Sequence, residues 1–183
     1  MWDAETSLKS LEESVEQMES YLLSQDVIRT QSGRPSLSVG LISLDFRWLG
    51  SAIESENQDR LKSVRAELDA VRDKWRVAWE RKSAAELRSR LNLWREYLAD
   101  LERRPGLGSS YPQEVRNRAM AVDLLDAVGN QPENKTLSAS LDAIDNRLRD
   151  TFQPGKFVWV QVPESAFPAE SFWFLYGRPQ TKN

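Results

Sequence analysis

The amino-acid sequence predicts a mainly α-helical fold, an elongated antiparallel bundle of about five helices around one very long central helix. Residues 51–104 contain neither glycine nor proline. A continuous helix there would be roughly 75 Å long. Apolar residues near the N-terminus also repeat with heptad spacing, which is typical of packed helices. We expect residues 1–183 to form a single helical domain, with 153–183 as an aromatic C-terminal tail on the bundle or on a second subunit.

The first predicted helix covers residues 3–24. Its apolar positions alternate spacings of three and four residues and are Leu8, Leu11, Val15, Met18 and Leu22. Residues 36–55 are also predicted to be helical, because the apolar spacing continues to Ile53. The alternation of Leu37, Val39 and Leu41 with small residues would also fit a strand. Gly50 indicates a kink or joint in this segment.

The central stretch changes the phase of its apolar pattern. Its first half presents Leu61, Val64, Leu68 and Val71, and its second half presents Leu87, Leu91, Trp94, Leu98 and Leu101. The two stripes lie on faces of a helix that differ by more than a right angle. Either one continuous helix meets different neighbours along its length, or the helix breaks near Glu80–Ser83, where a capping-box sequence occurs. The continuous helix is favoured, because nothing there forces the backbone to turn.

Two further helices are predicted at residues 113–128 and 137–152, and Gly129 is expected to end the first of them. The segment that follows is rich in aromatic residues. Phe157–Val162 has high strand propensity. Ser171–Tyr176 can pair with it as a hairpin or form a short helix, with a slight preference for the helix.

Composition limits the chemistry. The chain has no cysteine and no histidine, and its formal net charge is −3. These absences exclude disulfides, thiolate or histidine zinc sites, and cysteine or histidine catalysis. A carboxylate-only metal site is left open, but no catalytic, metal or cofactor-binding residues are assigned, and no cofactor is expected. The sequence contains no apolar run of membrane-spanning length and no signal-peptide core, so we expect a soluble, cytoplasmic protein.

Charged residues form two stripes with a seven-residue period. The acidic stripe on the first helix includes Glu5, Glu12 and Glu19, and the basic stripe on the central stretch is Lys74, Arg81, Arg88 and Arg95. We expect the two stripes to face each other and to orient the first helix antiparallel to the later part of the central helix. The alternative is a basic ridge for nucleic acid. It is disfavoured because acidic residues interrupt the ridge.

Aromatic residues of the tail form the second group of candidate interaction residues: Trp159, Phe172, Trp173 and Phe174. So much aromatic surface is expected to be covered, by the bundle or by a second subunit. The sequence thus favours a helical protein-interaction or scaffold module that associates with itself as a homodimer, rather than an enzyme. The alternative is a carboxylate-based enzyme or small-molecule binder with a pocket between the helices and the tail.

Overall fold

The computed structural model describes residues 4–31, 34–129 and 131–180. Within these ranges the chain is mainly helical, as predicted, and it contains eight α-helices. They are α1 Ala4–Glu16, α2 Met18–Leu22, α3 Val39–Ala52, α4 Gln58–Lys74, α5 Arg76–Arg103, α6 Tyr111–Val128, α7 Asn134–Arg149 and α8 Ala169–Phe172. The predicted end of a helix at Gly129 is confirmed. This residue follows α6 with a φ of 61°, a conformation that favours glycine.

Two small antiparallel hairpins complete the described fold. Strands β1 Arg29–Gln31 and β2 Arg34–Leu37 form the first, and strands β3 Phe152–Phe157 and β4 Tyr176–Pro179 form the second. A C-terminal hairpin is present, but it pairs residues 152–157 with 176–179 rather than Phe157–Val162 with Ser171–Tyr176, and the short helix α8 lies in the connection between its strands. A strand was predicted at Phe157–Val162, but the observed strand β3 ends at Phe157.

Helix α3 is buried on nearly all sides. Its buried residues include Val39, Ile42, Leu44, Phe46 and Leu49, which do not share one face of a helix. This pattern is typical of a helix surrounded by other elements. Helices α1, α4, α5 and α6 and the tail all contact it. Helix α3 is therefore enclosed by other elements, and it continues through Gly50, where a kink or joint was predicted.

The single very long central helix is not confirmed. Residues 51 and 52 belong to α3, residues 53–57 connect it to α4, and α4 and α5 meet at Trp75. Trp75 has φ −115° and ψ 34°, which departs from helical geometry. The joint separates the two halves in which the apolar pattern has a different phase. The main neighbour of α4 is α1, whereas that of α5 is α6. Helix α5 is continuous through the alternative break at Glu80–Ser83.

The first helix also packs differently from the prediction. Glu5 and Glu12 both accept hydrogen bonds from Arg60, and Glu19 pairs with Lys74. These pairs advance in the same order along both helices, so α1 and α2 run in the same direction as α4 rather than antiparallel to the later part of α5. The seven-residue period predicted which face carries the charges, but it could not specify which helix lies opposite.

The tail packs against α6 within the same chain. The Tyr111 hydroxyl donates a hydrogen bond to the Phe174 carbonyl at 2.7 Å, and Trp159 Nε1 donates to the Pro112 carbonyl at 2.7 Å. Arg118 of α6 pairs with Asp145 of α7, and its guanidinium lies 4.3 Å from the Phe174 ring centroid. Residues 181–183 of the predicted tail lie outside the described residues.

No helix in the described part of the chain combines the length and hydrophobicity that crossing a membrane requires.

Candidate functional site

The tail contacts α3 through the short helical turn Glu164–Ala166. Residues of α3 and of the tail together line two cavities. We call the first cavity the Asp45 pocket. It is lined by Leu44, Asp45, Trp48, Pro112, Gln113, Arg116, Trp159, Val160, Gln161, Val162 and Phe167. We call the second cavity the Arg65 groove. It is lined by Ser43, Arg47, Gly50, Ser51, Arg65, Asp123, Ser165, Ala166 and Pro168.

The Asp45 pocket has a volume of about 510 Å³ and lies between α3, α6 and the tail. Its walls are mostly apolar, and Leu44, Trp48 and Phe167 are buried. Ligand pockets commonly have volumes of about 300–1,000 Å³, with a few polar groups set among apolar and aromatic walls. The pocket has the size and lining of a site for a small organic molecule.

Asp45 is the one acidic side chain among the residues that line this pocket. Its carboxylate makes no hydrogen bond or salt bridge to any described residue. Burial raises the pKa of Asp45 to about 6, and the positive charge of Arg116 opposes this shift. A carboxylate without partners that is removed from water is destabilised, so it favours any ligand that brings a positive charge or a hydrogen-bond donor.

The aromatic wall of the pocket is held in place by several contacts. Besides the hydrogen bond to α6, Trp159 packs edge-on against Phe167 with ring centroids 5.1 Å apart. The Phe167 carbonyl accepts a hydrogen bond from the Tyr176 hydroxyl at 2.8 Å. Val160, at the rim, is 94% exposed. The wall is therefore preformed, whereas the rim is open to solvent.

The polar groups of the pocket suit binding better than catalysis. Asp45 and Arg116 are its charged residues, and Gln113 and Gln161 add two amides. The lining offers no second carboxylate to share acid and base roles. The described residues contain no group of three or more acidic side chains arranged to hold a metal ion.

The predicted charge stripes are dispersed over several helices rather than brought to one site. On the basic stripe, Lys74 pairs with Glu19 on α2, Arg88 pairs with Glu133, and Arg95 donates a hydrogen bond to Ser140 on α7 at 2.8 Å. Arg81 is exposed. On the acidic stripe, Glu5 and Glu12 share Arg60, as described above.

The predicted tail residues have distinct surroundings. Trp159 lines the Asp45 pocket. Phe172 packs between Phe167 and Phe174, and the latter lies fully buried beneath Tyr111 and Arg118. Trp173 packs edge-on against Phe152 and lies under the guanidinium of Arg149.

Sequence reasoning did not identify Asp45, Arg116 or Arg65. For Asp45 a signal was available, because it is a lone acid within the apolar segment Leu41–Leu49. A charged residue at a position that the apolar pattern buries is a functional candidate. For Arg65 and Arg116 no local signal distinguishes them from the many other arginines on helices.

No protein-family model, curated protein or solved structure matches this chain, so its function has to be argued from the geometry of these two cavities.

Proposed function

We propose that the protein binds a small amine in the Asp45 pocket, a molecule with an apolar body and one protonated amino group. The observation that supports this proposal is the half-buried, unpartnered carboxylate of Asp45 among apolar walls. The proposal corresponds to the alternative function given in the sequence analysis, a small-molecule binder with a pocket between the helices and the tail, and it assigns the pocket no catalytic role.

The energetics favour a cation with an apolar body. An ammonium group beside Asp45 would form a charge-assisted hydrogen bond, which is about twice as strong as a neutral one. The apolar body would cover the accessible surface of Trp159 and Val160, and each Å² of apolar surface buried contributes about 25 cal/mol. Arg116 is exposed, so its positive charge is screened by solvent and repels the ligand only weakly.

Calorimetric titration with phenethylamine tests this proposal, with the uncharged 2-phenylethanol as the isosteric comparison. We expect the amine to bind at least about ten-fold more tightly than the alcohol, because only the amine supplies a charge to Asp45. Asp45→Asn should abolish that preference. Asp142→Asn, an equal change of charge at an exposed position of α7, should leave it intact. Equal binding of the two probes, or no binding of either, would contradict the proposal.

The scaffold function expected from the sequence is the second candidate, in the form of self-association. Lys74 and Lys82 of α4 and α5 contact Glu19 and Ser24 at the end of α2, which brings this end of α2 alongside the start of α5. Two large apolar side chains that are near this contact in the sequence are exposed, Leu23 at 54% and Val77 at 75%. Large exposed apolar side chains favour association.

Sedimentation velocity over a range of concentrations tests self-association. We expect a dimer whose dissociation constant rises at least about ten-fold in the double variant Leu23→Ser, Val77→Ser, because both apolar contacts are lost. Leu93→Ser, at another exposed apolar position of α5, is the matched control. A wild-type chain that stays monomeric at all concentrations would exclude this candidate.

A further inference from the structure

The Arg65 groove, like the Asp45 pocket, is lined by residues of α3 and the tail, but the charges in its lining differ. Its volume is about 460 Å³. Its charged residues are Arg47, Arg65 and Asp123, two positive charges against one negative. Arg47 and Asp123 form a salt bridge and neutralise each other. Arg65 therefore supplies the net positive charge of the groove.

The guanidinium of Arg65 is oriented but not paired. It stacks on the ring of Phe46, with Cζ 3.8 Å from the ring centroid. It makes no hydrogen bond or salt bridge to the described residues, and Asp69 and Asp123 attract it only from beyond contact distance. Stacking occupies the face of a guanidinium and leaves the N–H donors at its edge free for a ligand.

Partial desolvation lowers the pKa of Arg65 from its ordinary value, although the residue is exposed. The guanidinium nonetheless stays charged at neutral pH, because arginine titrates far above it. Its charge and its free N–H donors are therefore accessible to an anion that enters the groove.

Hydroxyl groups and open space complete the groove. Ser51 of α3 and Ser165 of the tail line it, and neither hydroxyl has a hydrogen-bond partner within the described residues. Gly50 lies between these groups in the lining, and a Cβ added there would have no neighbour within 4 Å. The donors thus come from three separate elements, α3, α4 and the tail.

We propose that the Arg65 groove binds the phosphate group of a small phosphomonoester, with Arg65 as its main ligand and the Ser51 and Ser165 hydroxyls as further donors. A tetrahedral phosphate accepts hydrogen bonds from several directions, as these three elements present them, whereas a planar carboxylate is satisfied by one arginine fork. The groove is larger than a phosphate ion, so it has room for the organic group attached to it.

Calorimetric titration of the full chain with phenyl phosphate tests the site, in a phosphate-free buffer at constant ionic strength. We expect Arg65→Gln to weaken binding at least about ten-fold, because it removes a charged donor. Arg81→Gln, the same charge change at an exposed position of α5, should have no effect. Arg65→Lys should recover only part of the affinity, since lysine lacks the planar fork.

A second variant tests the location of the site without changing any charge. Gly50→Leu should fill the groove and abolish phenyl phosphate binding, while Gly50→Ala should keep both the fold and the binding, because open space surrounds this position. Asp45→Asn should not alter phosphate binding, which separates this proposal from the amine site. The proposal is overturned if wild-type protein does not bind phenyl phosphate, if benzoate binds as tightly, or if the two glutamine variants weaken binding equally.

Discussion

Two acidic side chains, Glu86 of α5 and Asp45 of α3, have opposite surroundings. Glu86 packs against the start of α3 and is fully buried. It accepts hydrogen bonds from the Ser38 hydroxyl at 2.6 Å, the Gly40 N–H at 2.9 Å and the Arg90 guanidinium at 3.0 Å. Asp45, one and a half turns along α3, has no such partner. The contrast teaches that burial of a charge does not by itself indicate function. A fully paired buried carboxylate is structural, and an unpaired one that lines a cavity is a candidate binding group.

The largest effect is expected at the paired site. Glu86→Gln leaves Arg90 buried without its counter-charge, so we expect the free energy of unfolding to fall by about 3 kcal/mol. Urea denaturation monitored by circular dichroism measures this loss. Glu96→Gln, at an exposed position of the same helix, is the matched control and should stay within about 0.5 kcal/mol of wild type. A loss below about 1 kcal/mol for Glu86→Gln would show that the hydrogen bonds of Glu86 to Ser38 and Gly40 do not anchor α3 to α5.

A smaller effect of opposite sign is expected at the unpaired site. Asp45→Asn should raise the free energy of unfolding by about 1–2 kcal/mol at about pH 7.5, because it removes a buried charge. The folded pKa of about 6 lies above the ordinary value of 3.8. The folded chain therefore binds more protons than the unfolded chain between these values, so the wild type loses stability as the pH rises from 3.8 to 6 and gains none above that range.

The pH dependence provides the sharper test of the Asp45 comparison. The stability difference between wild type and Asp45→Asn should vanish below about pH 3.8, where the wild-type carboxyl is protonated in both states. Asp142→Asn should show no such pH-dependent gain, since that side chain is exposed. A destabilising effect of Asp45→Asn at neutral pH would mean that the carboxylate has stabilising partners and that the two acidic sites do not differ as described.

The sequence predicted those parts of the fold in which apolar periodicity decides the structure. The apolar positions predicted for the first helix, Leu8, Leu11, Val15, Met18 and Leu22, are all buried, although the predicted single helix is divided at Gln17 into α1 and α2. The helix after Pro105 begins and ends close to its predicted residues, because Pro112 favours its first turn and Gly129 its end. In each case the signal is local and resides in residues a few positions apart.

The remaining features depend on contacts between distant residues. Trp75 carries no local signal for a joint, yet its backbone departs from helical geometry. The two helices that it joins have different main neighbours, α1 for α4 and α6 for α5. Glu86 stands in a sequence that reads as a solvated helix, and its burial follows from contact with residues 46 to 48 positions earlier. The Asp45 pocket could not be located, because its third wall comes from a tail more than 100 residues away.

The contacts of the tail also set the order in which this chain can complete its fold as it is synthesised. The hydrogen bonds of α6 to the tail span 47 residues for Trp159 and 63 residues for Tyr111. Until the ribosome has released the tail, the parts of α3 and α6 that the tail contacts stay uncovered, although the other helices can already pack against the rest of these two helices. Exposed apolar surface of this kind makes a nascent chain prone to aggregation. The last-made segment of the described chain is therefore the one that protects the earlier helices from misassembly.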